Sequence, residues 1–423
     1  MGCSWGICRS ADAEEVRWYL LYIGYWILNI FLYLYYITTM WFNERDILKH
    51  FTTSFNIIEL PDLNGYVLPH AGTEYTGQII AHTMRFKPTK RFSRVYILFY
   101  PANSDETHKT AHEYEVPYKS CLTIFEKIWK INTHNIEFIP YNIVTTTLPR
   151  LTRNEYRDSL VIVSADFSHF LNLQTAYELE NCAANSIIHN ASPPPKCTDI
   201  VDHHDTFMRL YSFLPATAQP VLQWVGRTRS PGVKGVGYLS FLLRDEHIVG
   251  SSNSKLPDGM FVTCYDANMT ARECLGTWFD EGGGGGGGSG KKWTKKEEEE
   301  LISDVVRKGQ SDSRLTSGSD LSVPIKYCTV TYLYRDAQTG PDKFIRGWHG
   351  LLASAFYLPE VFLEHTFDNG RWINPRDKEW PQDYNFKLDD TLASLDRKAG
   401  VTVGTSSRGE KKIYTSALRY VRL

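Results

Sequence analysis

The chain has 423 residues, 42% hydrophobic and 13% aromatic, which is enough apolar material for sizeable cores in two or three domains and too much for a disordered chain. A net charge of −2, with no Lys/Arg stripe interleaved with aromatics, argues against a surface for polyanions, so nucleic acid is not an expected partner. The eight cysteines (Cys3, Cys8, Cys121, Cys182, Cys197, Cys264, Cys274, Cys328) form no C-x-x-C pair and no zinc-finger spacing, which predicts free thiols in a reducing compartment and no structural zinc.

Residues 1–15 read as a tail. Gly2 invites an acylation reading, but Gly6 stands where the myristoylation pattern wants Ser or Thr, leaving Cys3 and Cys8 as palmitoylation candidates. From Val16 to Phe42 the chain carries no charge between Arg17 and Glu44. A helix of that length, at about 1.5 Å per residue, crosses a hydrocarbon core of about 30 Å. Residues 16–42 are therefore predicted to form a single membrane span, with Trp18, Tyr19, Trp41 and Phe42 in aromatic belts at its two ends. Gly24 permits a close helix approach and Asn29 is costly against lipid at mid-span, so the expected partners are the lipid bilayer and other transmembrane subunits. Arg9 and Arg17 before the span and Arg45 and Lys49 after it leave the orientation open. The expected location is an organelle membrane, with the mitochondrial inner membrane named by analogy to single-span accessory subunits.

From Ile57 onward the pattern becomes α/β. Strands are predicted at Gly65–Leu68, Arg94–Tyr100, Asn135–Ile143 and Leu160–Ser164, with Val221–Val225 and Val236–Leu243 as a closing pair. Helical patterns at Gln78–Met84, Ser120–Ile131 and Gln174–His189 lie between them, which implies a mainly parallel sheet covered on both faces. The run Leu160-Val-Ile-Val leads straight into Ser164-Ala-Asp-Phe-Ser-His169, as a buried strand does where it ends at a pocket. Asp166 and His169 become pocket candidates, joined by His70 in Pro69-His-Ala-Gly72 and Asn103 in Pro101-Ala-Asn-Ser104.

These segments together resemble the Memo family, whose members share their fold with the catalytic subunits of LigB-type extradiol dioxygenases. The likeness covers about 57–243 and rests on VLPHAGTEYTG, the RVYIL strand, SADFSHF and GVGYLSFLL. It implies a pocket built from His70, Asp166 and His169, with His70 as a metal ligand. The family's S-H-H segment is replaced here by residues around Asn103 and Ser104, and Phe207 stands near the place of its late cysteine. The expected metal pocket is thus degenerate, unless His203 or His204 supplies a missing ligand.

A polar connector, 244–259, precedes a second resemblance. FVTCYDANMTARECLGTWF, the SDSRL at Ser311–Leu315 and Tyr357-Leu-Pro-Glu-Val361 are similar to the signatures of the AMMECR family, so 260–423 is expected to be an AMMECR-like α+β domain. Glu273 replaces the first glycine of that signature, and Cys274 is a further pocket candidate. Gly282–Gly290 reads as a flexible insertion, and Lys291, Lys292 and Trp293 after it do not fit a phosphate loop, so no nucleotide is expected. Thr294-Lys-Lys-Glu297 is a capping box opening a helix whose apolar stripe is Leu301, Ile302, Val305 and Val306. Proteins of the two families are encoded together, sometimes fused, in the AmmeMemoRadiSam group.

Three functions follow from these readings. The first is a membrane-anchored, non-catalytic scaffold or accessory subunit of a larger membrane complex, without catalytic residues or cofactor. The second is a metal-dependent redox enzyme of Memo type using iron or copper. The third is a helper of a radical-SAM modifying system.

Overall fold

The central strand of the first sheet, β6 (Ser159–Ser164), has all six residues buried, and its side chains alternate between two separate apolar clusters. Val161 and Val163 face one, Leu160 and Ile162 the other, which is how a strand covered on both sides must distribute its residues. The computed structural model describes residues 41–51, 56–102, 111–201, 204–218, 220–231, 234–245, 257–278, 294–311, 323–336, 343–353, 355–364 and 411–423, with scattered positions from 367 to 405. The protein is mixed α/β, with two six-stranded sheets.

The first sheet uses β2 (Leu63–Leu68), β4 (Arg94–Phe99), β5 (Glu137–Asn142), β6, β7 (Pro220–Arg229) and β8 (Gly237–Asp245), in the order β5-β4-β6-β2-β8-β7. The first four are parallel, and β8 and β7 close the sheet antiparallel. A small parallel pair, β1 (Ile58–Leu60) and β3 (Phe86–Pro88), lies beside it. Gly65 allows β2 and β6 to pair closely, because a Cβ there would lie 1.9 Å from the Val161 carbonyl oxygen.

Helices α1 (Glu44–Leu48), α2 (Thr73–Met84) and α3 (His112–Lys127) cover one face, burying Ile47, Ile80, Met84, Ile124 and Phe125 against Tyr66, Val95 and Ile97. The short α4 (Arg153–Arg157) precedes β6, while α5 (Leu173–Ile188) and α6 (Asp205–Phe213) supply Ala183, Ile187, Phe207 and Leu210 to the other face. Asn172 caps α5 by accepting from Thr175 N at 3.0 Å.

The second sheet is antiparallel, ordered β10-β9-β11-β16-β12-β13, from β9 (Gly259–Asp266), β10 (Ala271–Trp278), β11 (Ile325–Arg335), β12 (His349–Leu352), β13 (Phe356–Tyr357) and β16 (Lys412–Arg422). A two-residue pairing of β14 (Phe367–Asp368) with β15 (Arg371–Trp372) stands apart from it. Helix α7 (Lys295–Ser311) buries Ile302 and Val305 against Met260, Val262 and Val330. Its capping box forms as the sequence predicts, with Glu297 N donating to Thr294 Oγ1 at 3.2 Å and Thr294 N donating to Glu297 Oε2 at 2.9 Å. The short α8 (Val361–Glu364) follows β13.

The cysteine expectation is corrected. Cys182 is bonded to Cys197 and Cys264 to Cys328, while Cys121 and Cys274 form no disulfide among the described residues. Cys264 and Cys328 face each other directly across β9 and β11, a juxtaposition that a spacing of 64 residues conceals. Disulfides persist in oxidising compartments, so the reducing compartment read from the spacing loses its basis.

Among the described residues no helix is long and apolar enough to cross a membrane. The predicted span, with Gly24 and Asn29, lies outside the described residues apart from Trp41 and Phe42. Those two do not form a free aromatic belt. Trp41 stacks on His112 with ring centroids 4.6 Å apart, Phe42 lies under Lys119 Nζ at 5.7 Å, and both pack against the core beneath α3.

The two sheets share core as well. Tyr265, Met269, Tyr327 and Leu363 join the cluster beneath α5, and Arg244 of β8 donates to Gln223 Oε1 at 2.6 Å and to the Ser416 carbonyl of β16 at 3.4 Å. Besides His70, three described histidines are buried in this body. Burial pushes His82 and His189 down to about 3 and His349 to about 4. A histidine whose folded pKa is depressed contributes stability that is complete above its unfolded pKa of about 6.5 and is lost as pH falls toward the folded value. At pH 5 each should cost about 2 kcal/mol. The three together should lose about 6 kcal/mol between pH 7 and pH 5, read as the difference in urea unfolding between the parent and the His82→Asn, His189→Asn, His349→Asn triple variant at the two pH values, because the raised carboxyls of Glu360 and Glu364 act in the opposite direction in both proteins.

Candidate functional site

The first sheet places two adjacent parallel strands, β2 and β6, with their carboxyl ends side by side, where open α/β sheets hold ligands. Beyond β2 comes His70, and beyond β6 comes Asp166; the amino end of α3 brings His112 and Glu113 to the same spot. His70, Asp166 and Glu113 are buried, at 5%, 3% and 3% exposure.

Hydrogen bonds fix the His70 ring. Ser164 Oγ donates its single proton to the Glu113 carbonyl at 2.5 Å, so its lone pair faces His70 Nδ1 at 3.0 Å and must accept from it. The Nδ1–H tautomer makes Nε2 the unprotonated, accepting nitrogen of the ring, the form in which an imidazole can ligate. Asp166 Oδ1 accepts the His70 backbone N–H at 2.9 Å, and its Oδ2 lies 3.8 Å from Nε2. The His70 and His112 rings meet edge to face at 5.5 Å.

One ligand atom each from His70, His112 and Glu113 lies within 4.8 Å of the others, a separation that an ion in their midst would bridge. Glu113 Oε1 accepts the Ala102 N–H at 2.8 Å, while its buried Oε2 accepts no hydrogen bond and stands 3.4 Å from His112 Nδ1. An unsatisfied buried carboxylate oxygen is costly unless a cation compensates it, and two imidazoles with one carboxylate form a donor set suited to a transition metal. The residues present therefore fit a metal of the iron or copper type.

The other sequence candidates fall elsewhere. His169 does not join the donor set: the backbone after β6 stays extended, pairing through Phe167 N to Gly237 O at 2.9 Å, so residues three apart face opposite ways. His169 is half-buried, with Phe170 as ring neighbour at 6.1 Å. Cys274 lies on β10 of the second sheet, exposed, with Thr263 Oγ1 at 3.2 Å, and is not part of this pocket. Asn103 and His203 lie outside the described residues, and His204 sits at the start of α6 apart from the donor set. Phe207 is buried with its ring 6.3 Å from that of Phe167.

Sequence reasoning missed His112 and Glu113. The helix expected from Ser120 begins eight residues earlier, because Pro117 is tolerated within the run His112–Lys127 and hides its start. The signal was the adjacent pair His112-Glu113, a metal-ligating imidazole next to a carboxylate, eleven residues after the loop at Pro101.

Fold and site together define an α/β domain with a three-residue metal-donor set, packed against an antiparallel sheet with one long helix. Comparison with models of known protein families and with curated proteins finds no match.

Proposed function

We propose that this is a membrane-anchored protein whose Memo-like α/β domain binds a transition metal through His70, His112 and Glu113, with an AMMECR-like domain packed against it. The observation that carries the reading is the convergence of three donors within 4.8 Å, one of them a buried carboxylate oxygen with no hydrogen bond. Ser164 holds the His70 tautomer and Asp166 anchors its backbone, so the ring is oriented before any ion arrives. A bound iron or copper would supply Lewis acidity and redox chemistry.

Purified full-length chain is expected to carry about one iron or copper per molecule, counted by elemental analysis. His70→Ala and His112→Ala should each lower affinity by roughly 10–100-fold or more, while His169→Ala should leave it unchanged. Equal metal content in His112→Ala and the parent would remove the proposal.

A second reading is the non-catalytic scaffold, an accessory subunit of a membrane complex. It is favoured by Trp41, whose ring lies against His112 and narrows access for a substrate. Detergent extraction followed by mass spectrometry of co-purifying chains tests it, and the subunit idea fails if the protein emerges alone.

A further inference from the structure

Where the two sheets meet, a cleft with a cavity of about 30 Å³ has Asn185 and Trp224 on one side and Tyr265, Tyr420, Glu360 and Glu364 on the other. At ~10–15 Å³ for each water-sized group, it has room for about two. Glu360 and Glu364 stand one turn apart, with Glu364 N donating to the Glu360 carbonyl at 2.9 Å, and both line the cleft. The Glu360 carboxylate is met by its own backbone N–H and Glu364 feels the Arg227 guanidinium. Tyr265, only 4% exposed, also lines the cavity, and its hydroxyl makes no hydrogen bond among the described residues. Its phenol senses both carboxylates. Tyr420, by contrast, spends its hydroxyl on the Leu222 carbonyl at 2.8 Å and presents its ring.

We propose that this cleft binds a primary ammonium group, carried by a small amine or by a lysine side chain, held by Glu360, Glu364 and Tyr265. An –NH₃⁺ head has three donors and no acceptor, matching the two carboxylates and one phenol oxygen that line the cleft. The rings of Trp224, Tyr265 and Tyr420 line the cleft and give the carbon behind the ammonium an apolar wall. Hard metal ions fit less well, since calcium takes six to eight oxygens and magnesium retains several waters. The proposal rests on the cleft alone and is independent of the metal reading. Because the cleft is walled by both sheets, its ligand would tie them together.

Protonation supplies a readout. Depth pushes Glu360 up to about 7, and depth together with the neighbouring Glu360 carboxylate pushes Glu364 up to about 8. The charged and titratable groups facing them are Arg227 of β7, which holds Glu364 down, Tyr265 and Tyr420, both raised well above the phenol range, and His189, pushed to about 3 and ringed by those tyrosines. Between pH 6 and pH 8.5 only the two glutamates change charge among these, so ammonium affinity rises with pH as they lose protons.

The test titrates full-length protein with n-butylammonium chloride and, separately, with Nα-acetyl-lysine amide, by calorimetry at pH 6 and pH 8.5. Saturable binding that strengthens with pH, weakens roughly tenfold or more in E360Q/E364Q and about fivefold in Y265F, and is unchanged in His70→Ala supports the site. The tighter of the two probes identifies the source of the ammonium. Absence of binding by both at millimolar concentration, binding that Y265F and E360Q/E364Q leave intact, or heat from calcium chloride in place of the amines overturns it. Y265F removes one oxygen without changing the fold's packing, so it decides the matter if the double variant fails to fold.

Discussion

Glu180→Ala is expected to cost about 3–5 kcal/mol of folding free energy, because it strands a buried guanidinium. Arg227 and Glu180 are 2% and 3% exposed. The guanidinium donates to Glu180 Oε2 through Nη2 at 2.6 Å and Nε at 3.1 Å, to Asn181 Oδ1 at 2.7 Å, to the Tyr177 carbonyl at 3.1 Å and to the Leu363 carbonyl at 3.3 Å. The last of these belongs to α8 beside the second sheet, so the charge network fastens the two halves as well as α5 to β7. Glu180 Oε1 meanwhile accepts from Ser168 Oγ. Removing the anion leaves the cation without bulk water and without the carboxylate it is hydrogen-bonded to, and that poorly compensated charge, more than the lost attraction, sets the size of the effect. Replacing both partners, as in Glu180→Leu with Arg227→Met, should recover much of the loss. Urea unfolding of the three proteins decides it: a single-variant loss under about 1 kcal/mol would mean the pair is solvated on a scale its burial denies.

The second large effect concerns the Cys264–Cys328 bond, which closes a separation of 64 residues and restrains the unfolded chain accordingly. The loop-entropy relation puts its contribution at about 4 kcal/mol. Cys264→Ser with Cys328→Ser, or treatment with a reductant, should lower the thermal midpoint by several degrees, about 2–4 °C per kcal/mol for a body of this size. Peptide mapping without reduction should recover the residues around Cys264 and Cys328 as one linked fragment. Recovery of both as alkylated thiols would contradict the pairing and restore the reducing-compartment expectation.

Much of the α/β architecture was legible because its signal is local. A buried run such as Leu160–Val163, the alternation of strand and helix up to β8, and the capping box at Thr294 each carry their information within a few residues. What escaped reading depends on distance or on facing. Asp166 and His169 look like a pair on paper, yet an extended backbone turns them apart, and only Asp166 reaches His70. The pairing of Cys264 with Cys328 follows from strand register, which no spacing rule contains. His112 and Glu113 were hidden because a proline five and four positions later discouraged extending a helix back to them. The shared core between the sheets was equally invisible, since Tyr265, Tyr327 and Leu363 look like ordinary interior residues of their own domain.

Trp41 gives the site a mechanical address. Its indole rests on the His112 ring, and its carbonyl accepts the Thr73 amide at 3.0 Å, just past the loop that carries His70. A displacement of Trp41 would therefore be felt at the His112 ring and at the turn following His70 together, so that one indole couples the positions of two candidate ligands that lie 42 residues apart in the chain.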